Sequence, residues 1–190
     1  MIAIIMAGGK ATRFSTRVEK ALLEIRGTTL LERAINTLRH GGASDLAVAT
    51  TARAEGTKAL ARNLGTEVIV TSGTSYHEDV LELLHRYEAF VSLNVDVPFV
   101  RDVHVRGILQ ESAEKSIAAA VPLRLAMGIP DGDSVIVDPS GRKMVWVGLN
   151  YVTPNPENLL KVFEDPLLTL NINSEEDLAL AKRIAAERCL

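Results

Sequence analysis

Short apolar runs rich in β-branched residues, separated by segments with a helical spacing of apolar positions, fill the chain from Ile2 to Val121, and no other feature restricts the fold so strongly. The runs are Ile2 to Met6, Leu46 to Thr50, Val68 to Val70, Phe90 to Val95 and Ile117 to Val121. Each has strand length and is bounded by polar or turn residues, so each predicts a β-strand. Hydrophobicity that is continuous along such a run means that both faces of the strand are covered. Between the runs, Leu31, Ala34, Ile35 and Leu38 follow the i, i+3, i+4, i+7 spacing, and so do Val80, Leu83, Leu84 and Tyr87. Each set predicts a helix with one buried stripe. Three pairs stand at capping-box spacing, Thr29 with Glu32, Ser75 with Glu78 and Ser174 with Asp177. Gly41 and Gly42 end the first helix. Strand alternating with helix predicts an α/β fold, a mostly parallel sheet with helices on both faces. In such folds ligands gather at the carboxyl ends of the strands.

After Val121 the rhythm breaks. Pro122, Gly128, Pro130 and Gly132 punctuate a loop, and Val135 to Val137 and Met144 to Val147 flank a turn made of Asp138, Pro139, Ser140 and Gly141. That pattern predicts an antiparallel hairpin, an insertion that shapes an acceptor pocket. A short strand near Leu167 to Leu170 and a last helix from Glu175 to about Glu187 complete the expected elements. A length of 190 residues fits one domain, 1–190. The net charge of −3 offers no global attraction to nucleic acid or to an anionic membrane, so anionic ligands must be held by local basic groups. The single cysteine, Cys189, excludes an internal disulfide framework and a cysteine-based zinc cluster. The apolar opening Ile2 to Met6 is too short for a signal peptide or a membrane span, and a cytoplasmic location without stable membrane insertion is expected.

The chemistry is concentrated where the first strand ends, in Met6, Ala7, Gly8, Gly9, Lys10, Ala11, Thr12, Arg13 and on to Lys20. A glycine pair after a buried strand lets backbone amides approach a ligand closely, and those amides can hold phosphate oxygens. Arg13 adds a forked donor and Lys20 a point charge, a combination suited to a triphosphate. The plainer reading is a strand-to-helix turn with solvated basic residues. Asp96, in the stretch Asn94, Val95, Asp96, Val97, Pro98, ends a buried strand, where hard cations are bound; a turn-capping aspartate is the alternative. Asn171 and Asn173 precede the last helix, and Asn173 can offer a carbonyl to a metal or an amide to phosphate, or both can form Asx turns. Asn150, after Gly148 and Leu149 at the expected end of a strand, is a further pocket candidate. Thr71, Ser72, Gly73, Thr74 and Ser75 form a small polar loop able to read a base edge, with Ser75 equally able to act only as a helix cap. Neither G-x-x-x-x-G-K-[ST] nor a G-x-G-x-x-G after the first strand occurs, which argues against a switch GTPase or a nicotinamide dehydrogenase.

Ala7, Gly8, Gly9, Arg13 and Lys20 resemble the opening signature of the nucleotidyltransferase superfamily that includes molybdenum-cofactor guanylyltransferase and the sugar-phosphate nucleotidyltransferases. Ala11, Ser15 and Ala21 depart from residues common there. With V-E-K at Val18 to Lys20, N-V-D at Asn94 to Asp96, G-L-N at Gly148 to Asn150 and N-I-N-S at Asn171 to Ser174, the chain is most similar to the archaeal type of adenosylcobinamide-phosphate guanylyltransferase. The resemblance implies a Rossmann-like three-layer α/β/α nucleotidyltransferase fold. It implies transfer of GMP from GTP to a phosphorylated corrinoid acceptor, with molybdenum-cofactor or sugar-phosphate transfer as alternatives. A regulatory protein that binds nucleotide without catalysis is the alternative of another class. The same resemblance implies a glycine loop around the triphosphate, Arg13 and Lys20 on its phosphates, Mg²⁺ on Asp96 with Asn173, and room for a homodimer.

Overall fold

The computed structural model describes residues 1–9, 14, 18–111, 114–127 and 134–188. Ten strands and five α-helices follow one another as β1 (Ile2–Met6), β2 (Glu24–Ile25), β3 (Thr28–Thr29), α1 (Leu30–His40), β4 (Asp45–Thr51), α2 (Glu55–Asn63), β5 (Glu67–Thr71), α3 (Tyr76–Arg86), β6 (Phe90–Asn94), α4 (Asp102–Glu111), β7 (Ser116–Pro122), β8 (Val135–Val137), β9 (Lys143–Val152), β10 (Asn158–Val162) and α5 (Glu175–Glu187). Eight strands share one sheet, ordered β10-β7-β9-β6-β1-β4-β5, with β8 paired to β9. The pairs β1 with β4, β1 with β6, β4 with β5 and β7 with β10 are parallel. β9 runs antiparallel to β6, β7 and β8. The fold is the α/β arrangement expected from the alternation, with its antiparallel segment in the second half.

Continuous hydrophobicity in β1 is explained by its position. Ala3 and Ile5 pack into one cluster, with the stripe of α1 and with residues of α2, α4 and α5. Ile4 and Met6 pack into the other, against Leu83, Val80 and Leu84 of α3 and Tyr87 just after it. Ile4 and Ile5 are fully buried, and each side chain contributes about 1.5–3 kcal/mol of hydrophobic stabilisation. The two faces are thus unequally covered among the described residues: four helices on one, α3 alone on the other.

Local signals set most boundaries. Thr29 and Ser174 form complete capping boxes with Glu32 and Asp177. Ser75 accepts from the Glu78 amide, but the return bond from Glu78 is not made, so this helix starts on half a box. Gly41 caps α1, and Gly42 follows at a φ of 100°, the left-handed region. The turn between β8 and β9 is organised by Asp138, whose carboxylate accepts from the amides of Ser140 and Arg142 and from the Ser140 hydroxyl. The Ser140 hydroxyl and the Arg142 amide hold this carboxyl at about 2.

Three expectations need correction. Residues 167–170 are not a strand: the Asp165 side chain caps Leu167, Pro166 opens the turn, and Pro166–Thr169 is a 3-10 helix. Gly148, Leu149 and Asn150 lie within β9, which continues to Val152, because β6 and β7 flank it on both sides. The strand β6 ends at Asn94, so Val95 stands just outside it. Among the described residues, no helix is long and apolar enough to cross a membrane.

Candidate functional site

Parallel pairing brings the glycine turn and the mid-chain aspartate to one end of the sheet. β1 and β6 are neighbours with Met6 opposite Asn94, and the Val95 amide extends the ladder by donating to the Met6 carbonyl at 3.1 Å. On the other side the Ala7 amide donates to Ala49 O at 2.8 Å, and the Thr50 hydroxyl donates to Ala7 O at 3.2 Å. Gly8 and Gly9 therefore leave the sheet from an anchored residue, beside Asp96.

Lys20 joins three distant parts of the chain. Its Nζ donates to Asp96 Oδ2 at 2.9 Å and to Asn173 Oδ1 at 2.7 Å. The Lys20 side chain is 10% exposed and that of Asp96 23%, so the pair is only partly screened by solvent. Each partner is held by its own local structure. Lys20 opens a 3-10 helix, Lys20–Leu22, whose Ala21 is buried in the main core. Just before it, the Glu19 carboxylate accepts from the amides of Gly56 and Thr57, at 3.1 and 2.6 Å, and from the Thr57 hydroxyl at 2.5 Å. Burial alone would raise the Glu19 carboxyl; the bonds from Thr57 and Gly56 and the nearby Lys58 charge outweigh it and leave the group below its ordinary value. Asn173 is placed from the other direction: the Ile172 amide donates to Asp96 O at 2.9 Å, with Ile172 fully buried. Asp177 then receives the amides of Asn173 and Ser174, both at 2.9 Å, so the cap of α5 also fixes the asparagine.

Beside this node lies a cavity of about 320 Å³, bounded by the glycine turn, Lys20, the β5–α3 loop and Asp96. Met6, Ala7, Gly8, Gly9, Asn94 and Asp96 all line it, as do Gly73 and Thr74 of the polar loop. Thr71 and Ser72 do not; Thr71 is buried beneath the loop and Ser72 is exposed. Gly73 has a φ of 63°, and a Cβ there would stand 2.3 Å from Thr51 Cγ2, so the loop can follow this path only with glycine. Asp79 also lines the cavity, 5% exposed, and was not among the residues singled out from sequence. Its signal was present: Asp79 stands four residues before Leu83, a carboxylate on the buried stripe of α3.

A second, larger recess of about 1410 Å³ runs along the sheet face that α3 leaves uncovered, over β7, β9 and β10. Tyr76 and Asn94 line both cavities. Asn150, Asn171 and the half-exposed Trp146 face the larger one. Asn150 Nδ2 donates to Tyr76 Oη and to Ser92 Oγ, each at 3.3 Å. Tyr76 is 46% exposed as a residue, its hydroxyl meets Ser92 Oγ and Asn150 Nδ2, and burial pushes the phenol up. Asn94 Oδ1 and Asn171 Oδ1 are buried with no hydrogen-bond partner among the described residues. A Cβ on Gly148 would stand 2.6 Å from Asn94 Cβ, so this glycine makes room for the Asn94 side chain.

The sequence-selected residues thus divide into two neighbourhoods. Lys20, Asp96 and Asn173 meet at one atom, whereas Asn150 and Asn171 belong to the larger recess. Lys10 and Arg13 lie outside the described residues. No group of three or more His, Cys, Asp or Glu side chains able to hold a metal is found among the described residues. The donors that share Lys20 are a carboxylate and an amide carbonyl. Those hard oxygens suit Mg²⁺, which typically takes one or two protein oxygens and completes its shell with phosphate and water.

Known proteins share this architecture. CMP:2-keto-3-deoxy-manno-octonic acid synthetase, solved in complex with CTP, superposes with a TM-score of 0.70 at 14% identity, over 98% of this chain and 99% of its own. A nucleotidyl transferase from Methanothermobacter gives a TM-score of 0.71 at 15% identity, over 98% of each chain. A hypothetical transferase from Thermus thermophilus gives 0.68 at 17% identity, over 93% of this chain and 98% of its own. No curated protein sequence matches significantly. Identities this low establish the shared fold; the family comes from the sequence itself. Residues 3–128, which carry the glycine turn, Lys20, the β5–α3 loop and Asp96, match the model of the MobA-like NTP transferase domain, and the chain belongs to that nucleotidyltransferase family.

Proposed function

We propose that this nucleotidyltransferase, acting as one domain, transfers GMP from GTP to a phosphorylated corrinoid, adenosylcobinamide phosphate, and releases pyrophosphate. The observation that carries the reading is the meeting of Lys20, Asp96 and Asn173 at one atom, with Lys20 and Asp96 on the wall of the cavity that Gly8 and Gly9 also line. In this reading the amides of the glycine turn hold phosphate oxygens, and Lys20 turns from its carboxylate partner toward the triphosphate. Arg13 acts with it, as the family resemblance implies. Asp96 and Asn173 would hold Mg²⁺, which supplies charge neutralisation at the phosphates.

The acceptor needs little activation. A phosphate monoester has a second pKa of about 6, so it arrives largely ionised and no strong general base is required. One of its oxygens forms a bond to the α-phosphorus as the bond from that phosphorus to the β-phosphate bridging oxygen breaks. The electron pair departs with pyrophosphate. Catalysis is then positioning plus charge stabilisation, with no covalent enzyme intermediate.

The larger recess supports a bulky acceptor. Ligand pockets commonly measure about 300–1,000 Å³. At about 1410 Å³, with Trp146, Leu81 and Leu160 on its walls, this recess exceeds what a sugar phosphate needs and suits a macrocycle with an apolar face. The test is pyrophosphate release with labelled GTP and a panel of acceptors. Turnover with the corrinoid phosphate and not with sugar phosphates or molybdopterin is expected. Turnover with CTP and a sugar acceptor instead would overturn the assignment.

A further inference from the structure

Asp79 is a buried carboxylate that the transfer chemistry does not use. It lies on the first turn of α3, 5% exposed, on the wall of the smaller cavity. Its Oδ1 is occupied, accepting from the Gly73 amide at 2.9 Å and the Ser72 hydroxyl at 3.3 Å. Its Oδ2 has no partner among the described residues and faces the glycine turn: a Cβ built on Gly8 would stand 3.3 Å from it. Thr71 Oγ1, buried and likewise unpartnered among the described residues, is 3.9 Å from the same point. A carboxylate oxygen on the cavity wall with no donor of its own among the described residues is placed to accept from a ligand.

The geometry points to Asp79 as the residue that selects the base of the triphosphate, its Oδ2 accepting both the N1–H and the 2-amino donors of guanine. This rests on the reading of the smaller cavity as the nucleotide site and deepens it. A carboxylate discriminates because it only accepts. Guanine alone presents two donors side by side on its pairing edge. Adenine and cytosine set one amino donor beside a ring nitrogen whose lone pair would face the carboxylate. Uracil flanks its single N–H with two carbonyls. Because the Gly73 amide and Ser72 hydroxyl fix Oδ1, the orientation of Oδ2 is preset before the base arrives, which lowers the ordering cost on binding.

The closing experiment measures Kd for GTP, inosine triphosphate, xanthosine triphosphate and CTP on the wild-type chain and on Asp79→Asn. Inosine triphosphate lacks only the 2-amino group, so it should bind roughly tenfold to a hundredfold more weakly than GTP, the range for a hydrogen bond to a charged group. In Asp79→Asn, the amide oxygen can keep the Gly73 bond and present its NH₂ to the cavity. GTP affinity should then fall by a similar factor while xanthosine triphosphate, with a carbonyl in place of the 2-amino group, gains. Equal affinity of the wild type for GTP and inosine triphosphate would overturn the role of Asp79 while leaving guanylyl transfer intact, and this comparison stands even if the variant does not fold. A folded Asp79→Asn that binds GTP unchanged would also overturn it. A wild-type chain that binds CTP in preference to GTP, or binds none of the four, would remove the guanylyl reading and the inference together.

Discussion

Lys20 and Asp96 form the contact whose removal is most informative, and its size follows from the geometry. At 2.9 Å the gross attraction is about 6 kcal/mol with an effective dielectric of 20. Desolvation offsets most of this: a broken fully buried pair costs about 3–5 kcal/mol, while an exposed pair is worth about 0.2–1. With side-chain exposures of 10% and 23%, this pair stands between the limits, at about 2 kcal/mol for either single substitution. For a chain of this length that lowers Tm by about 4–8 °C. A double-mutant cycle with Lys20→Met and Asp96→Asn, read by urea unfolding without nucleotide, should return a coupling of about 1–2 kcal/mol. The double variant should therefore be little worse than either single one. In the transfer assay Asp96→Asn should remain folded and lose about 10²–10³ in rate, the usual loss for one well-placed electrostatic group. Additivity within about 0.5 kcal/mol would mean that the two charges do not sense each other and would refute the node as the organising contact.

Glu19→Gln tests the clamp behind Lys20. The folded carboxyl titrates below its ordinary value of 4.5, so its stabilising contribution is complete above that value and is lost as pH falls through the lower folded one. The variant should melt lower than the wild type near pH 7, with the gap closing as both are taken well below pH 4.5; a gap that is constant with pH would show that the ionised carboxylate is not responsible. Gly148→Ala would place a Cβ 2.6 Å from Asn94 Cβ and 2.7 Å from its Nδ2. Overpacking of this kind costs about 1–3 kcal/mol, or roughly 2–12 °C in Tm, and the displaced Asn94 should raise KM for the acceptor; an alanine variant with unchanged melting would show that β9 and Asn94 are not so close.

Periodicity and turn chemistry made the central strands and the stripes of α1 and α3 legible, because fully buried parallel strands and one-sided helices leave unmistakable patterns. The nearness of the glycine turn to Asp96 was also legible, since strands that run parallel in one sheet end on the same side. The edge strand β10 was not. Asn158–Val162 is half exposed and interrupted by Lys161, so no apolar run announces it. The run at 167–170 looked like a strand because composition alone cannot distinguish four apolar residues from a capped 3-10 turn, and Asp165 with Pro166 decided the matter. Asn173 could be selected by residue type, but its approach to Lys20 depends on the Ile172 to Asp96 backbone bond, a pairing between 76 residues further down the chain and the strand end that no local pattern encodes. Asp79 was overlooked because a carboxylate on an apolar stripe reads as an interruption of the helix pattern rather than as its purpose.

Unequal covering of the sheet accounts for how one fold can serve two substrates. Among the described residues, helices α1, α2, α4 and α5 bury one face and fix the strands, while α3 alone occupies the other and leaves β7, β9 and β10 open. The smaller cavity lies at the strand ends, built from short connections that the sheet holds rigidly. The larger one lies along the open face, between α3 and the strands β7, β9 and β10. They meet at Tyr76 and Asn94, one at the start of α3 and one at the end of β6. In-line displacement needs the attacking oxygen on one side of the α-phosphorus and the departing pyrophosphate on the other, so under the proposed reaction transfer takes place at that junction. Base choice then belongs to the β5–α3 segment and acceptor choice to the β7–β9 face, with no side chain but Tyr76 and Asn94 common to both cavities among the described residues. Substitutions at Trp146 or Asn150 should accordingly change acceptor KM while leaving the affinity for the triphosphate alone unaltered, and a parallel loss of both would show that the two cavities are not separable.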